Sequence, residues 1–373
     1  MDVSVGRFRE ALNVLKPAVA RNSTIKSIEY VLLKNGQAVA TNLETMVVID
    51  MPEADLTTLV PFKDVAEWLK FIPGGELLHI QSEKGRLSLS WAEGKSTFPV
   101  ENHENFPDVP EFLPVVEESL NTDILIPALA SVQPYASTDD ARPILKGVTL
   151  ILGNPVEVAA GDGYRMADKV LALSFPKNII TIIPSSSVSV LKHLWEKTPR
   201  TPPLSEELLP VIMAKKYAGV GHDGKEGLRF QFENNTTAII KLVSGSPPDW
   251  LKLIPKGDPV LQVQFLASDM ELALHRVMKI ALDGADTVRM AFKDNTATLS
   301  AKSDGHEAQS SFKTLDSTGT PNKVALSAKC LLSYLGGKQR LVSLSWTGKT
   351  APVAFQSQNE PRVLIMPMAP KEW

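Results

Sequence analysis

Apolar residues recur at helical spacing in six stretches of the chain, and the six fall into three pairs. The first pair is Val5–Leu15 and Val60–Leu69, the second Ile126–Val132 and Ile183–Leu194, the third Met270–Ile280 and Leu326–Leu335. Between them the pattern changes to period two, as in Leu77–Ser82, Gly85–Trp91, Leu228–Phe232, Thr287–Phe292, Ala297–Lys302 and Leu341–Trp346. Glu83-Lys-Gly85, Asn234-Asn235 and Lys293-Asp-Asn295 separate these runs as turns. Each third of the chain therefore reads as antiparallel hairpins covered by two helices, an α+β pattern without βαβ alternation.

The second helix of each pair opens at Phe62, Ser185 and Ala328, and the leading helices are offset alike. The repeat is about 120 residues, the size of a domain and not of a solenoid unit. Three domains are expected, at residues 1–121, 122–256 and 257–373, with an insert near 197–210 in the second. The Pro-bearing, charged segments Glu111–Leu120 and Ile254–Val260 read as linkers. The insert reads as an exposed loop with a short helix at Ser205–Leu209. Three similar domains in a row point to an arc or a ring, and away from a single-cleft enzyme.

Composition narrows the class. The chain has 373 residues, 43% of them hydrophobic and 22% charged, which is ordinary for soluble globular protein. No apolar run reaches the roughly 18 residues of a membrane span, and the N-terminus lacks the apolar stretch of a secretory signal. The single cysteine, Cys330, excludes an internal disulfide and falls on an apolar helical stripe as a small core residue. These features fit a cytoplasmic location. The net charge of −3 weighs against a strongly basic nucleic-acid binder, but distribution matters more than the sum. Arg7, Arg9, Lys16, Arg276 and Lys279 lie on leading helices, and Lys63, Lys70, Lys192, Lys329 and Lys338 on or beside the second set. Arg21, Lys26 and Arg142 fall in the loops after leading helices. These bases are either one lining or ordinary solvated helix faces.

Catalytic chemistry is sparse. The six histidines show no metal-ligand spacing, so neither a metal nor a cofactor is expected. Gly94-Lys-Ser and Gly348-Lys-Thr lack the earlier glycine of a phosphate loop and read as hairpin turns. Ser189-Val-Leu-Lys192 matches the Ser-x-x-Lys of penicillin-binding enzymes without its companion motifs. Asp139-Asp140 are adjacent on a loop and shape a turn. No catalytic residue is assigned.

Four segments carry a family resemblance. They are Val158-Ala-Ala-Gly-Asp-Gly-Tyr-Arg-Met-Ala167, Arg362-Val-Leu-Ile-Met-Pro-Met-Ala369, Lys241-Leu-Val-Ser-Gly-Ser-Pro-Pro-Asp-Trp250 and Asn105-Phe-Pro107. With the triple repeat they resemble the bacterial DNA polymerase III beta subunit family, the sliding clamps. The resemblance implies three similar domains per subunit and a head-to-tail dimeric ring around duplex DNA, helices inside and sheets outside. It implies a non-catalytic processivity factor that tethers a replicative polymerase subunit, meets a clamp loader, and binds DNA without reading sequence.

Carried over residue by residue, the partner-peptide pocket comprises Leu145, Gly161, Gly163, Tyr164, Arg165, Met166, Pro248, Lys252, Leu253, Leu364, Met366, Pro367 and Met368, with Arg165 and Lys252 orienting the peptide. DNA contacts are assigned to Arg21, Lys26, Arg142 and Lys192. The dimer interface is assigned to Ile280 and Leu282, after the third leading helix, and to Phe106. Gly161, Tyr164 and Met166 stand where the family has Thr, His and Leu, so the chain reads as a divergent member. Two alternatives remain at this stage: a monomeric peptide-binding adaptor of the same fold, and a hydrolase using Ser189 and Lys192.

Overall fold

A computed structural model describes residues 1–199, 215–319, 323–348 and 350–369. Six α-helices lie among them: α1 Val5–Leu15, α2 Phe62–Leu69, α3 Thr122–Val132, α4 Ser185–Lys197, α5 Ala267–Asp283 and α6 Ala328–Leu335. The helix expected at Ser205–Leu209 lies outside the described residues. Capping accounts for several boundaries. Ser4 accepts from the Arg7 N–H to start α1, and Ser327 accepts from the Cys330 N–H to start α6. At α3 the Asn121 side chain accepts from the Asp123 N–H, so the helix begins a turn before Ile126 and carries Pro127 in its interior. The helix α5 runs past the expected bounds at both ends. Ile280 and Leu282 therefore sit in its last turn, which corrects their placement after the helix.

The order of elements is strand, helix, four strands, helix, three strands, and it recurs three times, with one added strand, Asp316–Gly319, in the last round. Several hairpins turn on two residues of positive φ. Asn35-Gly36, Lys84-Gly85, Asp294-Asn295 and Asp304-Gly305 all do so, the geometry that suits the twist of paired strands.

Compactness divides the chain differently, into two units. The first holds residues 1–130, 150–156 and 171–245. One of its sheets has eight antiparallel strands, in the order Thr58–Pro61, Tyr30–Lys34, Gln37–Thr41, Thr45–Asp50, Thr236–Lys241, Gly227–Phe232, Tyr217–His222 and Val116–Asn121. The seam in this sheet is the pairing of Thr45–Asp50 with Thr236–Lys241, from Ile49 opposite Thr236 to Thr45 opposite Ile240. A buried hydrogen bond from Thr45 Oγ1 to Ser187 Oγ, 2.7 Å long, ties the seam to α4. A second sheet has the order Asp2–Ser4, Leu77–Glu83, Arg86–Trp91 and Gly94–Pro99.

The second unit holds residues 131–149, 157–170 and the chain from Ser246 on. Its long sheet runs Arg165–Leu171, Arg362–Ile365, Val353–Gln356, Leu341–Trp346, Leu261–Leu266 and Asp316–Gly319, all antiparallel. Here the seam pairs Arg165–Leu171 with Arg362–Ile365. A four-stranded sheet runs His306–Lys313, Thr296–Ser303, Thr287–Lys293 and Lys323–Ser327.

The two seams obey one rule. In each, the third strand after a leading helix pairs with the final strand of the next repeat. The middle repeat thus shares one of its sheets with each neighbour, which is why compactness yields two units. Applied to the strands that remain, the rule leaves Gly94–Pro99 at the edge of one sheet and His306–Lys313 at the edge of another.

Candidate partner-binding site and nucleic-acid face

The segment Gly161–Met166 folds as a turn feeding a strand. The Asp162 side chain accepts from the N–H groups of Tyr164 and Arg165 at 2.9 and 3.0 Å, and Gly163 takes φ +96°. Arg165 is committed inside the protein. Its guanidinium donates to Asp162 Oδ2 (3.0 Å), Ser333 Oγ (2.7 Å) and the Pro134 carbonyl (3.2 Å), and lies 5.1 Å from the Tyr135 ring centroid. Tyr135 is pushed up to about 12 by burial, against the opposing pull of Arg165. Arg165 therefore braces the turn, and it also lines the cavity described below.

Strand alternation then splits the expected pocket. Arg165 pairs with Ile365, and Met166 with Leu364, so the two pairs face opposite sides of the sheet. On one side Met166 and Leu364, 3% and 2% exposed, are buried with Ala159, Ala354 and Trp250, and Leu145 packs against them. Trp250 closes this cluster, with its indole N–H donating to Thr149 Oγ1 at 3.0 Å. It sits where Gly161 leaves room, since a Cβ on Gly161 would lie 2.9 Å from Trp250 Cζ3, 3.0 Å from the Arg165 carbonyl oxygen and 3.1 Å from Met166 Cβ. Pro248, Lys252 and Leu253 are exposed on the loop that carries Trp250, and Lys252 pairs with Asp249 at 3.0 Å.

On the other side is an open cavity of about 1370 Å3. Tyr164, Arg165, Met366, Pro367 and Met368 line it, together with Asp286, Lys329, Cys330 and Ser333. Met366 donates its N–H to the Tyr164 carbonyl at 2.9 Å, so the ends of the two strands meet at the cavity mouth. Tyr164 is 66% and Met366 41% exposed, an apolar rim open to a ligand. Cys330 is half-buried there and not a core residue as expected, and burial pushes its thiol up. Trp250 ends one of the four family-like segments, yet sequence alone gives it no role. The signal that could have found it is the pairing of a large residue at 250 with glycine at 161.

The expected dimer residues separate as well. Leu282 is 42% exposed and Ile280 half-buried, both on the last turn of α5. Phe106, only 5% exposed, is packed on Leu32, Val39, Met46, Val48 and Leu59, which makes it a core residue of the first unit. The aromatic residue on the open strand is Phe98, edge-to-face with Trp68 at 6.2 Å.

In the first unit α1 packs on both α2 and α4, and His193 Nε2 bonds the Asn13 carbonyl at 2.8 Å. A groove of about 810 Å3 between α1 and α2 carries Arg9, Lys16, Arg21, Lys63 and Lys70 against Glu10, Glu29 and Glu67. Arg21 and Lys192 are exposed. Lys26 is 62% exposed and ion-paired with Glu29 at 3.1 Å. Arg7 is turned away to the Asp50 carbonyl. In the second unit Arg142 is half exposed, pairing with Asp139 at 3.4 Å and donating to the Asp162 carbonyl. Ser189 and Lys192 are exposed on α4. Among the described residues no three His, Cys, Asp or Glu side chains converge as metal ligands.

This geometry matches known proteins. The chain is similar over nearly its whole length to the DNA polymerase III beta subunit of Thermotoga maritima, with a TM-score of 0.84 at 19% identity over 99% of this chain and 98% of that one. The beta subunit of Pseudomonas aeruginosa gives 0.84 at 18%, covering 99% of both chains. A putative beta subunit from Eubacterium rectale gives 0.81 at 14%, covering 98% of both. The α+β architecture of antiparallel sheets and few helices is thus the sliding-clamp fold. By sequence the chain is 23% identical to the beta sliding clamp of Staphylococcus epidermidis over 236 residues, which is 62% of this chain and 57% of the relative. No protein-family model matches.

Proposed function

We propose that the chain is a divergent DNA sliding clamp of three domains, residues 1–121, 122–256 and 257–373, whose ring is completed by a second copy. The observation that carries this reading is the seam rule. Two junctions inside the chain join the third strand of one repeat to the last strand of the next, and one strand of each kind is left open. Two copies satisfy both open edges at once, head to tail, through a two-fold axis. Carrying the internal register onto the open strands sets Gly94 opposite Ser310, Lys95 opposite Gln309, Ser96 opposite Ala308, Thr97 opposite Glu307 and Phe98 opposite His306. In that register exposed Lys95 and Thr97 share a face with exposed Gln309 and Glu307, as the pleat requires. Phe98 then joins Ile280 and Leu282 as the apolar part of the junction, in place of Phe106.

A ring holds DNA by topology, so weak phosphate contacts suffice. The α1–α2 groove with Arg21, together with Lys26, Arg142 and Lys192, supplies such contacts. The rim of Tyr164, Met366 and Met368 takes apolar side chains of a partner peptide, from a replicative polymerase subunit or a clamp loader, with the Trp250 cluster as its support. The protein works in the cytoplasm as a processivity factor and catalyses no reaction. The monomeric adaptor is not favoured, because it leaves two sheet edges unpaired.

Retention on DNA tests the reading. The protein, loaded on closed circular duplex, stays bound, and cutting the circle releases it. Equal retention on circular and linear DNA, or a monomer by sedimentation at micromolar concentration, overturns it.

A further inference from the structure

Directly after Lys70, which lines the α1–α2 groove, the fold holds an aromatic ring out in solvent. Phe71 is 86% exposed, more than any other large apolar side chain among the described residues. Burying a phenylalanine side chain is favourable, a stabilisation that this ring forgoes. Here the turn is pinned on both sides of it. Arg9, from α1, donates to the Leu69 and Ile72 carbonyls at 2.6 Å each. Leu69 and Ile72 are themselves buried, at 0% and 5% exposure. Two residues on, the Gly74 carbonyl accepts from the Gly6 N–H at 2.8 Å. The backbone around Phe71 is therefore tied to α1 at three carbonyls, which fixes the point from which the ring projects.

The surroundings identify what the ring meets. Lys70 precedes it and lines the groove that also carries Lys16, Arg21 and Lys63. Lys70 pairs with Glu67, whereas Lys16, Arg21 and Lys63 are exposed with no carboxylate in ion-pair range among the described residues. A cationic track beside a presented aromatic face is the chemistry that holds single-stranded nucleic acid, with phosphates on the cations and a base on the ring. A duplex keeps its bases stacked and has nothing to offer the ring.

We propose that Phe71 is a stacking platform for an unpaired base of single-stranded DNA, next to the phosphate-binding groove. The inference rests on the clamp reading only for its biological setting, where duplex meets template strand.

The test is fluorescence anisotropy of the full chain with a labelled oligothymidine and with a blunt duplex of equal length, at low salt, for wild type, Phe71→Ala and Phe71→Trp. The expected result is binding of the single strand about five- to tenfold weaker for Phe71→Ala, full binding for Phe71→Trp, and unchanged duplex binding for both. Single-strand affinity that is the same in Phe71→Ala and wild type overturns the proposal. So does an equal loss on both DNAs, which marks a general defect. Retention of the same preparations on circular duplex scores the clamp reading separately, because it does not depend on an unpaired base.

Discussion

The coupling of Gly161 to Trp250 can be measured. Placing a methyl group at position 161 sets it 2.9 to 3.1 Å from an indole carbon, a backbone oxygen and a side-chain carbon. Ordinary carbon contacts lie at about 3.5–4.0 Å, so the intrusion is on the order of half an ångström or more against three neighbours. None of them yields freely. The Arg165 carbonyl is fixed by the Asp162 N–H at 3.1 Å, and the indole by Thr149. Overpacking of this kind costs about 1–3 kcal/mol, and Gly161→Ala is expected to lose that much. Trp250→Ala alone is expected to cost about 3–5 kcal/mol. In the double variant the clash with the indole is gone, so the combined loss falls short of the sum by about 1–2 kcal/mol. Urea denaturation at fixed protein concentration, with the slope checked for constancy, reads these differences from the midpoints. Losses that add to within about 0.5 kcal/mol would refute the steric argument, as would a Gly161→Ala protein as stable as wild type.

Other outcomes follow from the same geometry. Phe98→Asp or Leu282→Asp yields folded monomers by sedimentation, whereas Phe106→Asp lowers the denaturation midpoint, because it places a charge in the first unit's core. Changing Lys16, Arg21 and Lys63 together to Ala reduces the slope of log affinity against log salt, by about 0.9 for each phosphate no longer neutralised; an unchanged slope excludes the groove from DNA binding. Met366→Ala with Met368→Ala weakens a polymerase-derived peptide in calorimetry, and equal affinity moves the site elsewhere. His222 is held below its usual pKa, first by burial and against the pull of Asp223, and its Nδ1 accepts from the Gly224 N–H at 2.8 Å, which requires the neutral ring. The unfolded chain thus protonates first, so stability falls as pH drops below about 6.5. His222→Gln flattens that part of the pH–stability curve.

Much of the fold is legible in periodicity, because four of the six helices, α1, α2, α4 and α6, bury one stripe and begin at the expected residue. The third leading helix reads short at both ends, since its buried stripe ends in the small residues Ala267 and Ala281, which add little to a hydrophobic count. The Ile126 run misleads at its start, where Asn121 caps a turn that carries little apolar signal. The seams are not legible. Strand partners separated by some 190 residues leave no local trace, and Met166 meets Leu364 only in the folded chain. Motifs draw the candidate pocket as one patch, but a period-two strand sends neighbouring residues to opposite faces. That alone separates Arg165 from Met166. The place of Phe106 before a linker suggests an interface, although the same aromatic character suits it to plug a sheet.

In the proposed ring the two open sheet edges have a consequence for handling the protein. Complementary ends on one chain permit open-ended polymers as readily as closed pairs, and only curvature decides between them. Pro99 ends one edge without a donor, and Lys95, Glu307 and Lys313 place charge along both, features that discourage off-register stacking. A variant that bends differently at either internal seam keeps these ends but loses the closing angle. Such a protein is expected to form filaments and precipitate as its concentration rises, while its individual domains remain intact.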